Sequence, residues 1–260
     1  MNWLLLRGLV REQRHWGEFP GSLERLIPGT RTLTLDLPGV GTEHRKSVPL
    51  RIPEMTDDLR ARFLAHPQRG EGPWGILAVS LGGMIALDWL SRYPGDFRRG
   101  VVINTSAADL SRPWERFHWR QYPTVLRCFA AAPLTRERAI LAMTSNRADA
   151  HAALPERWAR YLDDAPVSPV TALRQLIAAA TSRLPERVGV ATLVLASRAD
   201  RLVSVVCSER IAKRLELPLR LHESAGHDLP LDDPRWVAEQ VKDWLHHEIA
   251  SAAPASPPPR

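Results

Sequence analysis

Along the chain, short runs of apolar residues alternate with longer stretches in which apolar positions recur every three or four residues. The runs Trp3–Leu6, Arg31–Leu35, Trp74–Ala78, Gly100–Ile103, Ala191–Ala196 and Leu217–Leu221 have the length of strands. Several are apolar at consecutive positions, as strands are when both faces of a parallel sheet are covered. The intervening pattern predicts helices over Met55–His66, Leu81–Arg92 and Ser204–Leu215. A final helix opens with Asp233 as N-cap and Pro234 in its first turn, and Val237, Val241, Trp244 and Leu245 share one face. This alternation predicts an α/β fold, a mostly parallel sheet of about six strands with helices on both faces.

The alternation breaks between about Ala107 and Arg187. That region has helical patterning but no convincing strand, and prolines at 113, 123, 133, 155, 166, 169 and 185 divide it into short pieces. Pro155 starts one helix, with Trp158, Tyr161 and Leu162 together. Ser168-Pro169 starts another, with Val170, Leu173, Leu176, Ile177 and Ala180 on one stripe. The expected organisation is an α/β core over 1–106 and 188–250, a helical cap over 107–187 and a disordered tail over 251–260, "SAAPASPPPR".

Composition narrows the function classes. The 260 residues carry a net charge of +6, almost all of the positive charge being Arg, scattered among acids without a like-charge block. A phosphate-binding footprint needs clustering, so nucleic acid is not an expected partner. Cys128 and Cys207 are far apart, with neither disulfide-scaffold nor metal spacing. No basic leader, cleavage site or membrane-length apolar run occurs, so a cytoplasmic protein without a membrane partner is expected. The oligomeric state stays open.

Candidate chemistry concentrates in "WGILAVSLGGMIALDW", residues 74–89, which reads as strand, sharp break and helix. Ser80 sits at the break. Side chains two residues either side of so tight a turn must be small, and Ala78 and Gly82 are. A hydroxyl there stands beside the free N–H groups and positive end of the following helix. A serine in this position could instead merely cap that helix. Downstream residues favour chemistry, because a hydroxyl becomes a useful nucleophile when a base takes its proton. His227 lies in the loop "ESAGHDLPLDDP" after the last strand, and strand ends of a parallel sheet meet on one edge. Asp200, just after "TLVLA", would orient it; Asp109, just after "VVIN", is a rival, and Asp228 should point elsewhere. The backbone N–H groups of Leu81 and Leu9 are candidates to hold an oxyanion, with Gly8 letting the chain turn before Leu9.

Taken together, these segments resemble the alpha/beta-hydrolase superfamily over nearly the whole chain. "LLLRGL" looks like its oxyanion-loop strand, "LDLPGVG" the turn after the next strand and "AVSLGG" the nucleophile elbow. "VLASRADRLV" looks like the acid strand and "AGHDLPLDDP" the histidine loop. The order Ser80, Asp200, His227 is the order of that fold. Ala78 stands where the pattern has Gly, Arg7 stands where many members have His, and the antiparallel strands that usually come first are missing. The resemblance implies a capped serine hydrolase acting on a small-molecule ester or thioester of small to medium acyl size, without metal or cofactor. A thioesterase, a carbon–carbon bond hydrolase or a non-catalytic binder of the same fold are the alternatives. Serine rather than Asp at position 80 disfavours dehalogenase and epoxide hydrolase chemistry. Trp114, Phe117, Trp119 and Tyr122 would roof the substrate or simply pack the cap; Arg116, Arg120 and Arg127 could meet an anionic substrate. His15 and Trp16 could line the pocket or belong to the core.

Overall fold

Six parallel strands form at the six apolar runs: β1 (Asn2–Leu6), β2 (Thr32–Leu35), β3 (Trp74–Val79), β4 (Arg99–Ile103), β5 (Thr192–Ser197) and β6 (Leu219–His222). The computed structural model describes residues 1–70 and 72–252, with side chains as far as His246. The sheet order is β2-β1-β3-β4-β5-β6, and every pair is parallel.

Consecutive apolar residues on a strand face opposite sides. Here that splits the interior in two. Leu4, Leu6, Ile76, Ala78, Val102 and Val194 pack into one core, while Trp3, Leu5, Leu77, Val79, Val101, Ile103, Leu193 and Leu195 pack into the other. The helices follow in chain order. α1 (Phe19–Leu26) joins β1 to β2, α2 (Ile52–Leu64) joins β2 to β3, and α3 (Leu81–Arg92) joins β3 to β4. Five helices lie between β4 and β5: α4 (Pro113–Arg116), α5 (Tyr122–Ala130), α6 (Pro133–Thr144), α7 (Leu154–Asp164) and α8 (Pro169–Thr181). α9 (Val205–Arg214) joins β5 to β6, then come α10 (Leu229–Asp232) and α11 (Pro234–Ala252). α2, α3 and α9 cover the first core; α1 and α11 cover the second.

Local chemistry explains the helix ends. Asp233 Oδ1 accepts the Trp236 N–H at 3.0 Å and so caps α11, with Pro234 in its first position. Ser168 and Ser204 cap α8 and α9 in the same way. α2 starts three residues before the expected Met55, because Pro53 fits the first turn, where no N–H is needed. α11 runs to Ala252, two residues into the expected tail; the rest of that tail, from 253, lies outside the described residues. No described helix is long and apolar enough to cross a membrane.

The apolar stripe of α8 mostly faces out, with Leu176 alone of it turned to the cavity described below. Val170 is 63% and Leu173 53% exposed, and the buried face is Thr171, Gln175 and Ala178. Polar bonds fix that orientation: Gln175 Nε2 donates to Pro38 O at 3.1 Å, and Gln175 Oε1 accepts the Val10 N–H at 2.8 Å.

Candidate active site

The sheet order places a crevice. The chain leaves β1 toward one edge and leaves β3 toward the other, so the carboxyl ends of β1 and β3 flank a topological switch point, where ligands of open α/β sheets bind. Leu6 is in register with Ala78, which brings Gly8 against Ser80. A Cβ on Gly8 would lie 3.0 Å from Ser80 Cβ, and one on Gly82 would lie 2.5 Å from Arg7 O. Glycine is needed at both positions for this close approach. The expected turning role of Gly8 is corrected: the left-handed residue of this loop is Val10, at φ 50°, tied down by Gln175.

Ser80 has φ 56° and ψ −117°, and its side chain makes no cap bond to α3. The capping role is therefore not the one it plays. Thr105 Oγ1 donates to Ser80 O at 2.8 Å. Asn104, at φ 47°, accepts the Ser197 N–H at 2.9 Å and donates to His227 O at 2.8 Å. Among the described residues, three of the four non-glycine residues with positive φ thus follow the carboxyl ends of β1, β3 and β4. Such strain persists where surrounding bonds over-determine it.

Of the two rival carboxylates, Asp200 reaches His227. His227 Nδ1 donates to Asp200 Oδ2 at 2.7 Å. Asp200 Oδ1 accepts the N–H groups of Leu202 (2.8 Å) and Val203 (3.0 Å), so the carboxylate is held at both oxygens. Asp109 is spent elsewhere, accepting the Leu184 N–H at 2.9 Å. Because a carboxylate only accepts, the ring hydrogen sits on Nδ1 and Nε2 is left as an acceptor. Burial disfavours charge on this ring, but the charge and hydrogen bond of Asp200, with Asp228 nearby, outweigh it and raise the pKa above the usual histidine value; Arg7 pulls the other way. Ser80 and His227 line one cavity, and among the described residues no hydrogen bond yet joins Ser80 Oγ to the ring. Leu9 and Leu81 line it too, and Leu81, the first residue of α3, has an N–H outside the helix ladder.

Asp228 does point away from His227. It forms a bidentate ion pair with Arg7, Nη1 to Oδ1 at 3.0 Å and Nη2 to Oδ2 at 2.5 Å, with both side chains over 90% buried. Burial pushes the Asp228 pKa up, and Arg7 more than reverses this, holding the carboxyl below its usual range. The pair ties the loop after β1 to the loop after β6. The Asp228 N–H also donates to Thr144 O at 2.8 Å, linking that loop to α6. Sequence reasoning noted Arg7 as a departure but assigned it no partner; partners 221 positions apart leave no local signal.

The cavity holds about 200 Å³ and is walled mainly by apolar side chains, among them Leu9, Val10, Phe117, Val125, Ile140, Leu162 and Leu176. Of the four aromatic residues expected over it, Phe117 alone lines it. Trp114, Trp119 and Tyr122 are 53%, 59% and 45% exposed. α4 explains the first: Glu115 is drawn to Arg210 at 2.6 Å and Arg116 turns inward to Ala179 O and Ala180 O, which leaves Trp114 outside. Trp119 and Tyr122 are three apart across a 3₁₀ turn and so share its outer side, Tyr122 stacking on Phe117 at 5.5 Å. Arg120 and Arg127 are exposed and away from the cavity. The arginines at its wall are Arg7, Arg11, Arg116 and Arg136. His15 and Trp16 are buried and are not among its lining residues; Trp16 belongs to the second core.

Comparison with known proteins agrees with this layout. The model of the alpha/beta hydrolase family matches residues 3–240. Similar solved structures include an enol-lactonase from Burkholderia xenovorans LB400, 20% identical, with a TM-score of 0.73 over 94% of this chain and 91% of that one. An esterase from Rhodococcus sp. ECU1013 is 18% identical, with a TM-score of 0.72 over 95% and 90%. A thermophilic esterase from Thermogutta terrifontis is 19% identical, with a TM-score of 0.69 over 95% and 90%. At these identities the structures speak for the fold, and the family match speaks for descent. The chain belongs to the alpha/beta hydrolase family.

Proposed function

We propose that the protein is a serine hydrolase that cleaves carboxylic esters of small to medium acyl groups. The observation that carries this reading is the His227 Nδ1–Asp200 contact at 2.7 Å beside a strained Ser80 that caps nothing. Ser80 Oγ attacks the ester carbonyl while His227 Nε2 takes its proton. Asp200 stays ionised and stabilises the imidazolium. The carbonyl oxygen becomes an oxyanion that accepts from the Leu81 and Leu9 N–H groups. Collapse expels the alcohol, which receives the proton from His227. Water, activated by the same ring, then releases the acid from Ser80. On this reading the bond between Ser80 Oγ and the ring forms with substrate bound, since such bonds often tighten only then. The cavity volume suits a small or medium acyl chain, and its apolar wall suits a hydrocarbon one.

A fluorophosphonate probe should label wild-type protein at Ser80, read by peptide mass spectrometry. No adduct, with no turnover of p-nitrophenyl esters, acyl-CoA thioesters or vinylogous diketones, would leave a binding protein. The relative rates on that panel separate ester, thioester and carbon–carbon cleavage.

The pH dependence follows from the raised His227 pKa. The base must be neutral, so kcat/KM should fall on the acid side with a midpoint above the ordinary histidine value of about 6.5. Asp200→Asn removes the main group favouring the charged ring and should move the midpoint down as well as slow the reaction. A wild-type profile flat between pH 5 and 8 would exclude His227 as the base.

A further inference from the structure

We propose that Arg11 and the cavity-facing side of α6 form a carboxylate subsite, so that the preferred acyl chain ends in a carboxylate of its own. This rests on the reading of Ser80 as nucleophile and names the substrate class more closely: hemiesters of dicarboxylic acids.

Positions 136, 137, 140, 143 and 144 of α6 face the cavity at helical spacing. The Thr144 end touches the histidine loop through the Asp228 N–H. Arg136 lies eight residues away, about 12 Å along the axis. Of the cavity's charged groups, Arg136 therefore stands at the end of α6 far from His227.

At that end one carboxylate serves two guanidinium groups. Arg11 Nη1 donates to Glu137 Oε2 at 2.6 Å. Arg136 Nε stands 3.9 Å from Glu137 Oε1, too far for a hydrogen bond. The Arg11 side chain is only 9% exposed, yet its Nη2 has no partner among the described residues. His15 does not supply one. Its Nε2 faces Arg11 Nη1 at 2.9 Å, and its Nδ1 is taken up by Glu12, whose N–H lies at 3.1 Å and whose O lies at 3.2 Å. Burial, with Arg11 and Arg7 close by, holds the His15 pKa well below normal, so the ring is neutral. Trp158 covers the guanidinium face of Arg11 at 4.9 Å.

The result is two guanidinium groups served by one carboxylate at the wall of a mainly apolar cavity, where the Arg136 guanidinium, 23% exposed, makes no hydrogen bond among the described residues. A planar guanidinium without such a partner is suited to a carboxylate. A terminal carboxylate on the acyl chain would complete the set, while the ester carbonyl sits at Ser80.

Two measurements test this. The first is calorimetric titration with adipate against hexanoate, which differ by one terminal carboxylate. The second is kcat/KM for mono-p-nitrophenyl adipate against p-nitrophenyl hexanoate, extended over hemiesters from succinate to suberate. The wild type should favour the charged member by about ten- to a hundredfold, the scale of a hydrogen bond to a charged group. Arg136→Gln should bring the ratio near one, and Arg136→Lys should restore part of it. A purely structural role would alter both esters alike and leave the ratio standing. Absence of a wild-type preference, or a preference that survives Arg136→Gln, overturns the subsite. If adipate binding depends on Arg136 while Ser80 resists fluorophosphonate and no ester is cleaved, the subsite holds and the hydrolase reading falls.

Discussion

Ser80→Ala is expected to lower kcat/KM on p-nitrophenyl esters by about 10⁴-fold or more while leaving the melting temperature within a degree or two of wild type. The two halves of this expectation have separate grounds. On the proposed reading attack requires the Oγ atom, which the end of β3 presents to the cavity that His227 also lines. The fold does not require it: the side chain caps no helix, and the residue is anchored through its backbone, by the N–H to Ile103 O at 2.9 Å and the carbonyl to Thr105. Alanine adopts φ 56° about as readily as serine, so the strain at the elbow is retained rather than altered. Activity surviving within tenfold of wild type would remove Ser80 from the chemistry. A collapse in stability would mean that the hydroxyl has a structural partner after all.

Arg7→Met should cost about 3–5 kcal/mol, a large share of the 5–15 kcal/mol typical of a domain. The substitution removes the guanidinium that lies over Trp16 and leaves the Asp228 carboxylate buried without its ion-pair partner. Asp228→Leu alone should be comparably harmful, since it strands the guanidinium. The double variant Arg7→Met/Asp228→Leu should recover most of the loss, because removing both charges also removes their desolvation cost. Thermal melts of the four proteins decide it. Losses that simply add in the double variant would show that the pair contributes nothing as a pair. Activity is not expected to recover with stability, because the two residues also fix the loops that carry Leu9 and His227.

How legible all this was in the sequence depended on whether a feature has a period. The strands did: their apolar runs are long, and both sheet faces demand them. The order of Ser80, Asp200 and His227 was legible because each lies within five residues of the carboxyl end of a strand. Asp109 also follows a strand, and only the structure shows it turned toward Leu184. α1 was hidden by Pro20 and Gly21 in its first turn, residues that read as loop. The choice of Phe117 over its aromatic neighbours was illegible for a related reason. α4 and the turn after it are too short to establish a face, and what turns each side chain is a bond to α8 or α9. The pairs Arg7–Asp228, Arg11–Glu137 and Gln175–Val10 span 221, 126 and 165 positions, and no local pattern announces partners so remote. The two ion pairs among them nonetheless put charged groups on the cavity wall.

The helices between β4 and β5 are joined to the sheet by more than their two chain ends. Gln175 holds the Val10 N–H, Thr144 O holds the Asp228 N–H, Glu137 holds Arg11, and Arg14 reaches across to Asp164 at 2.9 Å. Such an insert is not an interchangeable cartridge. A chimera that grafts another relative's helices onto this scaffold would strand donors in the loops that carry Val10 and Asp228, and would have to import matching residues at 7–14 to recover. Natural drift toward new substrates meets the same constraint. Its easiest course runs through cavity-facing side chains that hold no loop in place, such as Phe117, Val125, Ile140 and Leu162.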